Sequence, residues 1–187
     1  MVLQKDMTSM ETTSAIKIIK HYKKWRKENP DTWIHYTTSQ SDLDSAISVA
    51  VFSNDSNGKR NPHQRRLKLD SLQLFNKTLK KRINDISKCS NFSELIFIIE
   101  NCKVKGIGEL ACYDVAIRIG SYLGLHPEFV YLHAGTKTGL KNLMKGKLKK
   151  KFIKKGDLPE PFKSLDLTCH EIEDILCIYK DKFKTSP

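Results

Sequence analysis

Apolar residues recur every three or four positions through most of the chain, and this spacing constrains the fold more than any other feature. In segments 11–28 and 70–87 the apolar side chains fall on one face of a helix. They are Ile16, Ile19, Tyr22 and Trp25 in the first segment, and Leu72, Phe75, Leu79, Ile83 and Ile86 in the second. No strand pattern of alternating polarity stands out. The spacing predicts an all-α fold of six or seven helices, organised as a single domain over residues 1–187.

Capping residues mark where several of these helices begin. A side-chain oxygen at the N-cap accepts a hydrogen bond from an N–H group of the first turn. The predicted caps are Ser41 (with Asp44), Ser90 or Asn91, and Thr168 (with Glu171). Segment 54–66 contains a glycine and a proline without apolar periodicity, so it is expected to be a loop. Asp114 and Arg118, four residues apart, are expected to form an ion pair on a helix surface.

The chain is strongly basic. Thirty-three Lys and Arg residues against 21 Asp and Glu residues give a formal net charge of +12. A charge of this size favours polyanionic partners. Nucleic acid, an anionic membrane surface and an acidic protein are all compatible with it, and so is the lysine-rich composition that an AT-rich genome would produce.

Five cysteines are scattered along the chain without a C-x-x-C pair. This usage is typical of reduced thiols in a cytoplasmic protein rather than of a disulfide framework or a zinc knuckle. The first twenty residues contain no apolar region of a signal peptide. No run of about 18 apolar residues is long enough to span a membrane. We therefore expect a cytoplasmic protein with no membrane partner and no cofactor.

Two glycines one residue apart, Gly106 and Gly108, interrupt the helical pattern. A dinucleotide-binding loop would fit "GIGELA", but it requires a strand directly before the first glycine, and six mostly polar residues stand there instead. A hairpin between two helices would let backbone amides approach a phosphate, with Lys103 and Lys105 adding positive charge. A plain turn between two helices is the third interpretation. The surrounding pattern favours the phosphate-binding hairpin.

Segment 92–143 resembles the helix-hairpin-helix region of the DNA glycosylase superfamily, of the endonuclease III and 8-oxoguanine glycosylase type. The resemblance rests on the hairpin "VKGIG" and on "VYLHAGT", where Val130 and His133 match the family's V-D-x-H signature. It implies an all-α fold and a grip on duplex phosphates. Tyr131 replaces the family's catalytic aspartate and Leu110 replaces the lysine of its bifunctional members, which speaks against base excision. By the same resemblance, a monovalent cation would be held by the backbone carbonyls of Cys102, Val104 and Ile107.

Two further basic segments accompany the hairpin. The segment 58–66 has no acidic residue and carries the side-chain types that contact phosphates and base edges. These side chains are Lys59, Arg60, His63, Gln64, Arg65 and Arg66. Nine lysines follow within 137–155. Thr136 is expected to cap a helix there with Lys137 in its first turn, where a bound phosphate would relieve the unfavourable interaction of a cation with the helix dipole.

These features predict a protein that binds duplex DNA, mainly through phosphates, and lacks glycosylase activity. The predicted nucleic-acid contacts are Lys103, Lys105, Gly106, Ile107 and Gly108 of the hairpin, the six side chains of segment 58–66, and Thr136, Lys137 and Lys141. One alternative is a divergent repair enzyme that uses a non-standard site, for which His133, Lys137 and Tyr131 are the catalytic candidates. The other is a basic module that binds an acidic protein.

Overall fold

The computed structural model describes residues 9–144 and 150–184, and most of these residues are helical, as the apolar spacing predicts. The contacts group the chain into two compact units, Met1–Pro30 with Glu128–Pro187 and, separately, Asp31–Pro127. The single domain expected from the sequence stays a prediction, because contact grouping does not measure whether either unit folds alone.

The described elements follow one another along the chain with short connections. The helices are α1 (Ser9–Glu28), α2 (Thr32–Thr38), α3 (Leu43–Phe52), α4 (Leu69–Lys80), α5 (Ile83–Ile86), α6 (Phe92–Asn101), α7 (Glu109–Leu123), α8 (Ala134–Met144) and α9 (Cys169–Ile178). The strands are β1 (Val130–Tyr131) and β2 (Phe152–Ile153), which pair antiparallel.

Helix α7 is the central element of the unit Asp31–Pro127. It packs against α2, α3 and α6, and it is buried on nearly every side between Ala111 and Gly120. A helix that is buried on most of its faces belongs in a core. Its small residues allow close packing: a Cβ placed on Gly120 would lie 3.2 Å from the ring of Phe92.

The other unit is organised around α8 and α9, with α1 packed on α9 and the two strands beside them. Its buried core draws on all of these elements. Prominent members are Ile19, Tyr22, Leu140, Phe162, Ile172 and Ile175.

Two predicted caps are confirmed and two are wrong. Asn91 caps α6, and Thr168 with Glu171 forms a complete capping box at α9. At α3 the cap is Asp42 instead of Ser41, because Asp42 Oδ1 accepts the Ser45 N–H at 2.7 Å. This bond holds the pKa of Asp42 below its usual range.

The second wrong cap is Thr136. Helix α8 begins at Ala134, three residues before the start that a Thr136 cap implies, and the Lys137 N–H donates to the His133 carbonyl at 2.7 Å. Thr136 is therefore an interior residue of the first turn, and it is fully buried.

The helix predicted over 70–87 is divided into α4 and α5. At the division, the Arg82 N–H donates to the Leu79 carbonyl at 2.8 Å, three residues back, and the backbone leaves the α-helical path. Leu79 and Ile86 are both buried despite the change in direction. The apolar spacing is preserved across the break, which is why it predicts one helix.

Candidate nucleic-acid interface

The turn between α6 and α7 has a backbone that only glycine adopts easily. Gly106 has a φ of +93°, in the region that disfavours side chains. The Ile107 N–H donates to the Val104 carbonyl at 3.1 Å, and the Ile107 side chain is buried. The exposed surface of the turn is formed by Lys103, Lys105, Gly106 and Gly108.

The element before the turn is a helix, which rules out the dinucleotide-binding interpretation. That fingerprint needs a strand leading into the first glycine, whereas α6 extends to Asn101. Gly108 is the N-cap of α7 and offers no side chain to its first turn. The first turn of α7 therefore has no side-chain cap, and the preceding turn carries two exposed lysines, which is an arrangement that attracts anions.

Ser71 of α4 supports the turn, and the sequence patterns do not single it out. Its Oγ donates to the Lys105 carbonyl at 3.0 Å. A Cβ on Gly106 would lie 2.7 Å from this Oγ atom of Ser71. The contact spans 34 residues of sequence, so no local pattern could have found it.

The three carbonyls suggested for a monovalent cation all belong to this turn. Cys102 is the C-cap of α6, and Val104 already accepts one bond within the turn. A carbonyl oxygen has two lone pairs, so one hydrogen bond does not prevent the Val104 carbonyl from binding a cation as well. The cation site stays a prediction.

The basic loop 54–66 lies in the same unit and is held by its own hydrogen bonds. Asp55 Oδ1 accepts the N–H groups of Asn57 and Lys59, both at 2.9 Å. Trp33 Nε1 donates to the Lys59 carbonyl at 3.1 Å. An isolated antiparallel bridge joins Asn54 to Arg60.

These bonds leave most cations of the loop directed to solvent. Lys59, Arg65 and Arg66 are exposed and Arg60 is half-buried. The side chain of His63 and the lysines between 145 and 149 lie outside what the structure describes.

Gln64 is different from its neighbours, because it is 1% exposed. Its amide lies against Ser53 Oγ. In the amide orientation that gives both atoms a hydrogen-bond partner, Oε1 accepts from Arg118 Nη1 at 3.1 Å and Nε2 donates to the Val51 carbonyl at 3.2 Å. Gln64 anchors the loop in the protein interior, so it is not among the side chains that face solvent.

The expected surface pair of Asp114 and Arg118 is corrected by the same cluster. Arg118 is only 5% exposed, and its Nη1 donates to the Ala50 carbonyl at 3.1 Å and to Ser53 Oγ at 2.5 Å. Burial lowers the pKa of Arg118, while the negative charge of Asp114 opposes that shift. The side chain links α7 to the end of α3, a role that spacing within α7 does not reveal.

The remaining predicted residues lie in the other unit. Tyr131 is buried in β1, with its ring 5.9 Å from that of Phe152. Thr136 Oγ1 donates to Glu173 Oε1 at 2.5 Å. His133 and Lys137 are half-buried and Lys141 is exposed. The structure thus places the α6–α7 turn and the basic loop in one compact unit, and the catalytic candidates in the other.

Four of the five free thiols have surroundings that oppose nucleophilic reactivity. Burial raises the pKa of Cys112 to about 12, and it also raises the pKa values of Cys89, Cys102 and Cys169. A thiol attacks as the thiolate, so such shifts oppose reactivity.

Comparisons with protein families, with curated proteins and with solved structures find no match. Within the described residues, no helix combines the length and the apolar character that crossing a membrane requires.

Proposed function

We propose that the protein binds duplex DNA through its phosphates, with the α6–α7 turn acting as a helix-hairpin-helix grip and the loop 54–66 as a second contact. The turn is the observation that carries this proposal. It combines an exposed glycine backbone, two exposed lysines and a helix N-terminus without a side-chain cap. Backbone amides and a helix dipole bind phosphate oxygens without reading the base sequence.

The turn also carries an acidic residue, Glu109, in the first turn of α7. Its charge is favourable toward the helix dipole and unfavourable toward a phosphate. Lys103 and Lys105 have to outweigh it, so the proposal depends on these two side chains.

The loop supports the proposal because its cations are displayed on a fixed backbone. Asp55 and Trp33 fix the loop backbone around Lys59, and less conformational freedom is lost when a preorganised segment binds. Lys59, Arg65 and Arg66 supply charge at positions that the structure leaves exposed.

The proposal stops at binding. In the matching positions, base excision would need a carboxylate where Tyr131 lies and, in bifunctional enzymes, an amine where Leu110 lies. A buried phenol and a leucine supply neither group. We therefore expect no strand cleavage and no borohydride-trapped intermediate on duplexes that contain damaged bases.

The salt dependence of duplex affinity tests the grip. Four phosphate contacts give a log–log slope near −3.6, or about a hundredfold loss of affinity between 50 and 200 mM salt. Replacing Lys103 and Lys105 together with glutamine removes two contacts, so the slope should move to about −1.8.

The matched control is the double variant Lys20→Gln with Lys24→Gln, on the exposed surface of α1. It lowers the net charge by the same two units and should leave the slope unchanged. Equal effects of the two double variants would mean that net charge, not the turn, attracts the DNA. A flat affinity across the salt range would overturn DNA binding and favour an acidic protein as the partner.

A further inference from the structure

One group of metal-ligating side chains lies outside the proposed DNA-binding surface. Among the described residues, His170, Glu173 and Asp174 place one potential ligand atom each within 4.8 Å of the others. They occupy positions i, i+3 and i+4 of α9, which bring side chains to one face of a helix. The set contains one imidazole and two carboxyl groups.

Glu173 has the more enclosed of the two carboxyl groups. It is 5% exposed, and Thr136 of α8 donates to its Oε1 at 2.5 Å. The hydroxyl fixes the orientation of the carboxyl group.

Asp174 is held from the opposite direction by α1. Tyr22 Oη donates to Asp174 Oδ2 at 2.9 Å, and Arg26 Nη2 contacts the same oxygen. Both bonds use Oδ2, so Oδ1 lies outside them.

This arrangement matches what surrounds a metal ion in a protein. Ligating carboxylates are held in place by donors from neighbouring elements, and those donors are part of the site. Thr136 and Tyr22 have that relation to Glu173 and Asp174, and they come from two different helices.

We propose that His170, Glu173 and Asp174 form a binding site for one divalent cation, with Thr136 and Tyr22 orienting the carboxylates. One imidazole and two carboxylates suit a cation that accepts nitrogen and oxygen ligands, such as Mn²⁺. The site lies within one compact unit and is independent of the proposed DNA binding.

Titration of the full chain with Mn²⁺, followed by the EPR signal of the free ion, tests the site. Mn²⁺ is preferred over Zn²⁺ as the probe, because the five cysteines would compete for the softer ion. Excess Mg²⁺ suppresses binding to isolated surface carboxylates. We expect the wild type to bind one Mn²⁺ per chain. The Glu173→Gln and His170→Gln variants should each have an Mn²⁺ affinity at least tenfold lower.

Glu171→Gln is the matched control. It makes the same chemical change on the same helix, and glutamine retains the capping box. Thr136→Val should weaken Mn²⁺ binding about tenfold, as loss of an orienting partner does. Circular dichroism of each variant establishes that it is folded. If Glu173→Gln does not fold, the test depends on His170→Gln. Equal Mn²⁺ affinity in the wild type, His170→Gln and Glu171→Gln would overturn the proposal, as would no binding to the wild type.

Discussion

Gly106 is the residue on which the shape of the α6–α7 turn depends. Two independent constraints act there, a φ of +93° and the Oγ atom of Ser71, which lies 2.7 Å from the position that a Cβ would occupy. Gly108, two residues later, has neither constraint, because its φ is −92° and no atom lies within 4 Å of its Cβ position. The two glycines of the motif therefore have different roles, although the sequence presents them as a pair.

We expect Gly106→Ala to lower the free energy of unfolding by about 2 kcal/mol, since a side chain at positive φ is strained and would also collide with Ser71. Gly108→Ala should cost less, because it changes only the residue at the N-cap. Urea denaturation followed by circular dichroism measures both.

A double variant separates the two constraints at Gly106. In a Ser71→Ala background the collision is absent, so adding Gly106→Ala should cost about 1 kcal/mol, the backbone strain alone. The same cost in both backgrounds would show that Ser71 does not brace the turn.

Arg118 and Gln64 show what sequence patterns fail to locate at this scale. Each was assigned to the surface by its neighbours in sequence, one as half of an i,i+4 pair and the other as part of a basic loop. Arg118 bonds to Ala50 and Ser53 at the end of α3, which lie 65 or more residues away in sequence. Gln64 contacts the same Ser53, which lies 11 residues away. Burial of a polar side chain is decided by such distant partners, so periodicity alone cannot predict it.

At the scale of the element, the packing of α8 against α9 depends on small residues. A Cβ on Gly139 would lie 2.0 Å from the carbonyl oxygen of Leu176, and one on Gly135 would lie 2.5 Å from Cys177 Sγ. The first obstacle is backbone, which cannot rotate away as a side chain can. The two helices must separate to admit even a methyl group at position 139.

Gly139→Ala should therefore destabilise the unit that contains α8 and α9 by about 3 kcal/mol, as overpacking in a tight contact does. Gly156→Ala provides the comparison, because no atom lies within 4 Å of its Cβ position; it should change stability by less than about 0.5 kcal/mol. Thermal unfolding of the two variants decides the point. Similar midpoints would contradict the close approach of α8 and α9.

The elements themselves were predictable where the signal is local. Asn91 and Thr168 cap their helices as expected, because an N-cap bond spans only three residues. The break after Lys80 and the start of α8 at Ala134 were missed, since apolar spacing continues through both. The α6–α7 turn was located from its glycines and lysines, whereas the contact of Ser71 with this turn and the contact of Thr136 with Glu173 each join segments that are distant in sequence.

At the scale of the whole molecule, the net charge is distributed unequally between residues 31–127 and the rest of the chain. Residues 31–127 carry 13 basic and 10 acidic side chains, so the unit with the turn and the basic loop has a net charge of +3. The other residues carry the remaining +9. Salt dependence counts phosphate contacts rather than net charge, which is why the two double lysine variants can distinguish a local grip from general attraction.

The two units also differ in how the chain builds them. Residues 31–127 are continuous and enclose their own buried residues around α7. The other unit joins the chain's two ends, and Ala15, Ile19 and Tyr22 of α1 belong to its core. Removing residues 1–30 would therefore expose part of that core to water.

We expect the fragment 31–127 to unfold cooperatively in urea on its own, because a continuous segment of this length buries about 60% of its unfolded surface. The fragment should also retain the salt-dependent duplex affinity of the turn. The fragment 128–187 should show no cooperative transition, and adding residues 1–30 through a flexible linker should restore one. If 31–127 lacks a cooperative transition while the full chain shows one, the two compact units form one folding domain, as the sequence predicts.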